Sequence, residues 1–228
     1  MENAESQITK WRQKKLFNTM AKKVFQNPIP LLPEAQGVFN NKWTYPSMKS
    51  FAPKKALIDY LFKTLYPSNT NLYEVHLKVS ILNQFYSTKI FAVTKMANGI
   101  VLANIDADIQ AGKISAVEKI AHILPRKNYS FASKYCAMHN PLAFPVNDRI
   151  VRGYLASVIA KGNLNGFSGG KTVNDFKMRT DYKYYKDVYD AFQSQYGLTS
   201  LKYQEIDAYI WITCKEPQLS GSDLLKLI

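Results

Sequence analysis

Asp148 is the residue of this sequence best placed to do chemistry. In the segment PVNDRIV it directly precedes a helical pattern that begins at Arg149. An aspartate at a helix start accepts hydrogen bonds from free backbone N–H groups, and this capping alone would account for its presence. A carboxylate held in that way is also positioned to act on a bound substrate. Asp148 is therefore both a predicted helix cap and a candidate catalytic residue.

A basic turn lies upstream of Asp148. The segment ILPRKNYS (123–130) predicts a short connection between two helices, the second of which is predicted from Phe131 to Met138. The first backbone N–H groups of that helix would be flanked by Arg126, Lys127 and Lys134. A helix N-terminus surrounded by cations suits a phosphate group. The turn is therefore a candidate phosphate-binding site.

The chain carries an excess of positive charge that favours a polyanionic partner. Its 228 residues include 30 Lys and Arg against 17 Asp and Glu, a net charge of +13. Residues 1–148 contribute +10 of this charge and residues 149–228 contribute +3. DNA, RNA or an anionic membrane surface would each attract such a chain. No apolar run reaches the roughly 18 to 20 residues of a membrane span, and the N-terminus lacks the apolar core of a signal peptide.

The spacing of apolar residues predicts an all-α fold of many short helices. Residues 7–26 predict a basic amphipathic helix packed on the body, although a membrane-surface helix has the same pattern. From residue 53 onwards nearly every segment has helical periodicity, except that residues 163–175 predict a flexible loop. We therefore predict an N-terminal helix with a Pro-rich connector over residues 1–52, and a helical domain over residues 53–228.

Three other patterns do not fit the sites that they resemble. GFSGGKT (166–172) is similar to a phosphate-binding loop, but its first glycine comes one position late and no strand precedes it. DADIQAG (106–112) begins like a calcium-binding loop, but Val117 occupies the place of the distal glutamate, so a helical turn is predicted instead. The histidines have no companion ligands at metal-binding spacing. No metal and no cofactor are predicted.

Two segments together resemble the helix-hairpin-helix DNA glycosylase superfamily. ILNQFYSTKI (81–90) is similar to the family's leucine-x-glutamine-glutamine-threonine/serine helix, with Gln84 at a glutamine position. LPRKNYSFASKYC (124–136) keeps the leucine-proline start of the family hairpin, and PVNDRIV matches its valine-aspartate at a helix start. Ser130 falls where bifunctional members carry a lysine, and it lies 18 positions before Asp148, the separation expected from the family. The resemblance extends over residues 75–220.

The sequence departs from the family pattern at two places. Both hairpin glycines are replaced, by Arg126 and Asn128. Asparagine tolerates a left-handed backbone, so Asn128 can stand in for one glycine, whereas Arg126 predicts a shortened or distorted hairpin. One extra residue also separates Val146 from Asp148, which makes Asn147 a rival for the aspartate position. An amide could not do the chemistry of a carboxylate there.

The resemblance implies a two-lobed helical bundle with a helix-hairpin-helix motif and an active-site cleft between the lobes. It also implies a DNA glycosylase, which flips a modified base out of the duplex and hydrolyses the bond between that base and its sugar. Asp148 would stabilise the oxocarbenium-like sugar. Because Ser130 replaces the lysine, no Schiff base would form, and the enzyme would be monofunctional and leave an abasic site.

Further roles follow from the same resemblance. Asn83, Gln84, Phe85 and Tyr86 would form the base pocket or the wedge that fills the gap left by the flipped base. The hairpin side would hold DNA phosphates through Arg126, Lys127, Asn128, Tyr129, Ser130 and Lys134.

The substrate stays open from the sequence. The overall pattern is similar to a bacterial branch that includes phage-defence glycosylases acting on glucosylated 5-hydroxymethylcytosine, which makes that base one candidate. Oxidised or alkylated bases are alternatives, as are a non-catalytic DNA-binding module and an RNA-binding helical protein. The resemblance implies a monomer that binds double-stranded DNA, with no membrane partner, in the cytoplasm and associated with the nucleoid.

Overall fold

The computed structural model describes residues 32–49 and 51–215 of the chain. Within these ranges every regular element is a helix and no strand occurs, which confirms the all-α prediction for this part of the chain. No helix in the described ranges is long and apolar enough to cross a membrane. The basic helix predicted over residues 7–26 lies outside the described residues.

Twelve α-helices follow one another in the described ranges. We number them α1 Leu32–Asn40, α2 Pro46–Lys49, α3 Ala52–Asp59, α4 Leu72–Tyr86, α5 Val93–Ala103, α6 Asp106–Gln110, α7 Ile114–Ala121, α8 Tyr129–His139, α9 Arg149–Ala160, α10 Lys171–Thr180, α11 Tyr182–Gln195 and α12 Tyr203–Lys215. A 3₁₀ turn, Lys42–Thr44, lies between α1 and α2, and α3 continues into a wider π-helical turn, Tyr60–Leu65. Helix α6 is the helical turn predicted for DADIQAG.

Two segments predicted as irregular are helical. Residues 32–40, placed in the Pro-rich connector, form α1, which packs with the 3₁₀ turn and α2 against α12. The predicted loop over residues 163–175 ends early, because α10 begins at Lys171. The Asn174 side chain is fully buried and donates to the carbonyls of Ser168, Gly169 and Gly170. These bonds tie the loop to the helix, and apolar periodicity does not report such side-chain bonds to the backbone.

Side-chain caps fix the starts of three helices. Asn71 accepts from the backbone N–H groups of Tyr73 and Glu74 at the start of α4. Asp148 caps α9 and Asp181 caps α11. Each cap satisfies N–H groups that have no partner within the helix, so the sequence itself determines where these helices begin.

Helix α8 lies at the centre of the fold. It packs against α4, α6, α7, α10 and the π-helical turn. Its residues from Phe131 to Met138 are all buried. This central position explains why α8 can present side chains to several surrounding elements at once.

Candidate active site

A cavity of about 660 Å³ opens beside α8. Its wall is built from α1, the 3₁₀ turn, α2, α3, α4, α8, α12 and the segment before α9. The volume is in the range of small-molecule and cofactor sites, roughly 300 to 1,000 Å³. Much of the lining is apolar or aromatic, and it includes Phe39, Met48, Phe51, Phe85, Tyr86, Met138, Val151 and Trp211. A few charged groups stand among these side chains, as in a site that recognises a specific ligand.

Asp148 lines this cavity and also caps a helix. Its Oδ1 accepts from the backbone N–H of Ile150 at 2.7 Å. The two interpretations that the sequence left open are therefore compatible. A carboxylate has two oxygens, and the cap bond to Ile150 uses one of them.

Buried hydroxyls hold the segment that leads to Asp148. The Tyr182 hydroxyl donates to the Pro145 carbonyl at 2.8 Å, and the Tyr185 hydroxyl donates to the Val146 carbonyl at 2.6 Å. The Val146 carbonyl also accepts from the Asp148 N–H at 2.8 Å, which makes a tight turn. Because successive carbonyls are bonded to the protein interior, the backbone before Asp148 is fixed.

Asn147, the predicted rival for the aspartate position, does not line the cavity. It is fully buried. Its amide donates to the Met178 carbonyl at 2.7 Å, and its Oδ1 accepts from Arg152 at 2.6 Å. Its backbone N–H donates to the Ser133 hydroxyl at 2.9 Å. Asn147 therefore ties α8, α9 and α10 together behind the aspartate.

Lys134, which the sequence predicts to bind a DNA phosphate, lies in the cavity wall. Only 4% of the residue is exposed. Its Nζ donates to the Ser130 hydroxyl at 2.8 Å and lies 5.8 Å from the centre of the Tyr86 ring. Burial lowers the pKa of Lys134, while the charges of Asp148 and Asp207 act in the opposite direction. The lysine thus places positive charge among the carboxylates of the cavity.

Asp207 on α12 is a second carboxylate in the same cavity. Its Oδ1 accepts from the Tyr189 hydroxyl at 2.8 Å, and the backbone of Val146 also hydrogen-bonds to it. Burial raises the pKa of Asp207 to about 7, and the negative charge of Asp148 acts in the same direction. Asp148 and Asp207 are therefore two acidic groups of the cavity that lie in different environments.

Asp59 is a third carboxylate in the cavity lining. The carboxylate of Asp59 pairs with Lys55 and, at 2.7 Å, with Lys63. Although burial acts to raise the pKa of Asp59, its hydrogen bonds with these two lysines lower it. Lys42 stands nearby on the cavity wall, and burial lowers its pKa. Asp59, Lys55 and Lys42 therefore add hydrogen-bonding groups to the cavity lining.

The predicted base-pocket residues have three different environments. Phe85 and Tyr86 line the cavity. Gln84 is exposed to solvent. Asn83 faces the turn after α4, where its amide donates to the Ile90 carbonyl at 3.0 Å and its Oδ1 accepts from the Ile90 N–H at 2.9 Å. Asn83 therefore shapes that turn and does not line the cavity.

The glycine-free hairpin between α7 and α8 needs no left-handed residue. Asn128 has φ −117°, which corrects its predicted left-handed backbone, and no residue of the hairpin has a positive φ. The hairpin closes through a 3.0 Å bond from the Asn128 N–H to the Ala121 carbonyl. Arginine at position 126 is accommodated because its backbone is in an ordinary conformation.

The predicted phosphate-binding residues of the hairpin divide by exposure. Arg126 and Lys127 are exposed. The Asn128 side chain donates to the Arg126 carbonyl and makes no cap bond to α8. Tyr129 is buried and donates to Glu118 at 2.7 Å, so its side chain is not a surface ligand. Ser130 is half-buried and its hydroxyl is engaged by Lys134.

The cavity residues Asp207, Lys42, Lys55, Asp59 and Trp211 were not predicted from the sequence. Asp207 had a detectable signal, because it is a single charge within the mainly apolar run from Ile206 to Ile212. Lys42, Lys55 and Asp59 resemble an ordinary charged helix surface, and only the packing of the segment from α1 to α3 brings them to the cavity, whereas Trp211 lies on α12 with Asp207. The described residues contain no group of three or more His, Cys, Asp or Glu side chains that could hold a metal.

Comparisons with known proteins cover part of the chain. The family model HI_0787_N, described as an N-terminal domain, matches residues 38–143. An uncharacterized protein of Haemophilus influenzae is 33% identical over 144 residues, which is 60% of this chain and 65% of that protein. The chain thus matches less than two thirds of the length of this relative. No solved structure matches.

Proposed function

We propose that this chain is a monofunctional DNA glycosylase that flips a modified base into the cavity and excises it by hydrolysis. The observation that carries the proposal is the placement of Asp148, a helix-capping carboxylate, in an aromatic cavity of about 660 Å³. In this proposal the cavity is the cleft between the two lobes of a helix-hairpin-helix fold, with the α7–α8 hairpin as the motif.

The proposed chemistry uses the charge of Asp148. As the bond between sugar and base breaks, positive charge develops on the sugar, and a fixed carboxylate stabilises that charge more strongly than it stabilises the neutral substrate. Asp148 also orients or deprotonates the water that adds to the sugar. Because a serine stands at position 130, no Schiff base forms at that position and the product is an intact abasic site.

Base flipping requires a pocket for the base and a group that fills the gap in the stack. Phe85, Tyr86 and Trp211 line the cavity and offer faces for stacking. Gln84 is exposed, and Phe91, on the turn between α4 and α5, is 91% exposed. We assign the gap-filling role to these two exposed side chains, because Asn83 is engaged within the turn.

The cavity is larger than an unmodified base requires. Its lining includes Lys42, Lys55 and Asp59, which can hydrogen-bond hydroxyl groups. These features favour glucosylated 5-hydroxymethylcytosine, and with it a role against phage, over a small oxidised or alkylated base.

The proposal is tested by incubating the purified protein with DNA that contains glucosylated 5-hydroxymethylcytosine, with oxidised DNA and with alkylated DNA. Released bases are identified by mass spectrometry, and abasic sites are detected as alkali-dependent strand breaks. We expect base release from at least one DNA, and strand breaks only after alkali. Strand breaks without alkali would contradict the monofunctional assignment.

Asp148→Asn tests the catalytic residue. Asparagine caps helices about as well as aspartate, so the variant should fold and bind DNA while losing base release by a factor of roughly 10³ or more. Asp181→Asn is the matched control, because Asp181 caps α11, is exposed and does not line the cavity. This control should keep full activity. Unchanged base release by Asp148→Asn would exclude the assignment.

A non-catalytic DNA-binding module is the second candidate, and the net charge of +13 with the exposed Arg126 and Lys127 favours it. This alternative predicts salt-dependent DNA binding and no base release from any of the three DNAs.

A further inference from the structure

Asp207 is an acidic group of the cavity that has no role in the reaction proposed above. Asp207 projects from α12 into the cavity that contains Asp148. The Tyr189 hydroxyl and the Val146 backbone fix its carboxyl group by hydrogen bonds. Val146 belongs to the same short segment as Asp148, so one stretch of backbone sets the positions of both carboxyl groups.

We propose that Asp207 is a second catalytic residue, the general acid that protonates the departing base. This inference rests on the proposed function and deepens it. An acid and an ionised carboxylate in one site can divide the work when their environments favour opposite protonation states. Asp148 caps the N-terminus of α9, whereas Asp207 accepts hydrogen bonds from the Tyr189 hydroxyl and the Val146 backbone.

The surroundings of Asp207 keep a large fraction of this carboxyl group protonated at neutral pH. Burial is the largest cause of its raised pKa of about 7, and Asp148 adds to it. The Tyr189 hydrogen bond and the Lys134 charge act in the opposite direction. The titratable groups that face Asp207 or share its cavity are Tyr86 on α4, Lys134 on α8, Asp148 before α9, Tyr182, Tyr185 and Tyr189 on α11, Lys42 in the 3₁₀ turn, and Lys55 and Asp59 on α3.

The reaction balances with these two groups and one water. The bond between the sugar carbon and the base nitrogen breaks, and its electron pair leaves with the base. The Asp207 proton passes to an acceptor atom of the base, so the base leaves as a neutral molecule. Water bonds to the sugar carbon and gives its proton to Asp148. Asp148 then releases that proton to solvent, and Asp207 takes one up.

This role narrows the class of substrate. A base that is uncharged in the nucleotide would leave as an anion, which is a poor leaving group. Protonation therefore speeds its departure. An N-alkylated base that is already cationic leaves as a neutral molecule and gains little. We therefore assign an uncharged base, such as a modified cytosine, to this site.

The experiment measures single-turnover base release by the full chain between pH 5 and 9, on the DNA that the wild-type protein processes best. The wild-type rate should fall above about pH 7, because the active form has a protonated Asp207. Asp207→Asn should lower the rate at pH 6 by about 10² or more, without the wild-type fall at higher pH, and leave DNA affinity within about twofold. Asp207→Glu should restore part of the rate and the fall.

The controls separate this inference from the proposed function. Asp190→Asn removes a carboxylate on α11 that accepts from Lys186 and Tyr203 and does not line the cavity, and it should keep the wild-type profile. If the wild-type protein is active and Asp207→Asn keeps its rate and its pH dependence, the inference is overturned and the glycosylase assignment stands. If the wild-type protein releases no base, the proposed function fails and the inference falls with it.

Discussion

Two buried lysines, Lys78 and Lys134, differ in what surrounds their ammonium groups. Lys78 on α4 is fully buried, and its Nζ donates to the carbonyls of Tyr66 and Ser68 and to the side chain of Asn69 at 3.1, 2.6 and 2.7 Å. Lys134 on α8 is also buried, but both of its hydrogen bonds go to Ser130, one helical turn earlier, and its side chain lines the cavity.

The difference separates a structural lysine from one that is available to a ligand. Asn69 extends the Lys78 cluster, because it also bonds to Asp106 and accepts from the Tyr135 hydroxyl. That cluster joins α4, α6, α8 and the turn after α3. Lys134 instead places its charge beside Asp148 and Asp207. Both lysines are buried, so burial does not distinguish them. They differ in the number of residues to which each donates hydrogen bonds.

Replacing each lysine by methionine tests this difference most directly. Lys78→Met leaves three oxygen acceptors without their donor, and we expect a loss of about 3 to 5 kcal/mol in the free energy of unfolding. Lys134→Met removes hydrogen bonds to one residue only, Ser130, and should lower the free energy of unfolding by about 1 kcal/mol or less. Urea unfolding at pH 7 measures both stability losses. Equal losses would show that Lys78 and Lys134 do not differ in structural role. Among folded variants, only Lys134→Met should lower base release.

A second comparison concerns two buried asparagines. Asn147→Ala leaves the Met178 carbonyl and Arg152 without partners, and the expected loss in stability is about 2 to 3 kcal/mol. Asn174→Ala is the matched control, because Asn174 bonds carbonyls of a loop outside the cavity lining. Its stability loss should be similar. Only Asn147→Ala should also slow base release, because it loosens the segment before Asp148. Equal activity in the two variants would contradict this positioning role.

Replacing Asp207 should raise stability at high pH, whereas the substitutions above lower it, and the effect should be smaller. The pKa of Asp207 is raised from 3.8 to about 7 in the folded protein, so the folded state holds a proton that the unfolded state has lost between these values. Stability therefore falls as pH rises from about 4 to about 7, and the cost persists above that range. Asp207→Asn removes the cost, and we expect a gain of roughly 1 to 2 kcal/mol at pH 8.

Thermal or urea unfolding at pH 4 and pH 8 measures this effect. The variant should be more stable than the wild type at pH 8 and close to it at pH 4. A variant that is less stable at pH 8 would show that the Asp207 carboxylate is well paired in the folded state, unlike the site described above. Such a gain in stability at the expense of activity is common for catalytic groups.

The sequence predicted the helices better than it predicted the site. Caps and apolar spacing are local signals, and they placed the start of α9 at Arg149 and the buried core of α8 over Phe131–Met138. The cavity depends on packing between α1, α3, α8 and α12, which no local pattern encodes. Lys78 illustrates the limit, because it interrupts the apolar stripe of Val75, Val79 and Leu82 and was not interpreted as a buried residue.

The exposed hairpin should show the smallest effect on the fold and a clear effect on DNA. Replacing Arg126 and Lys127 by alanine together should change stability by less than about 0.5 kcal/mol, because both side chains are exposed. If each contacts a phosphate, the slope of log Kd for duplex DNA against log salt concentration should fall by about two. Lys177→Ala with Arg179→Ala is the matched control, since it removes the same two charges from exposed positions on α10. A control slope that falls equally would mean that net charge alone governs binding, whereas a slope that falls only for the hairpin variant would locate the phosphate contacts there.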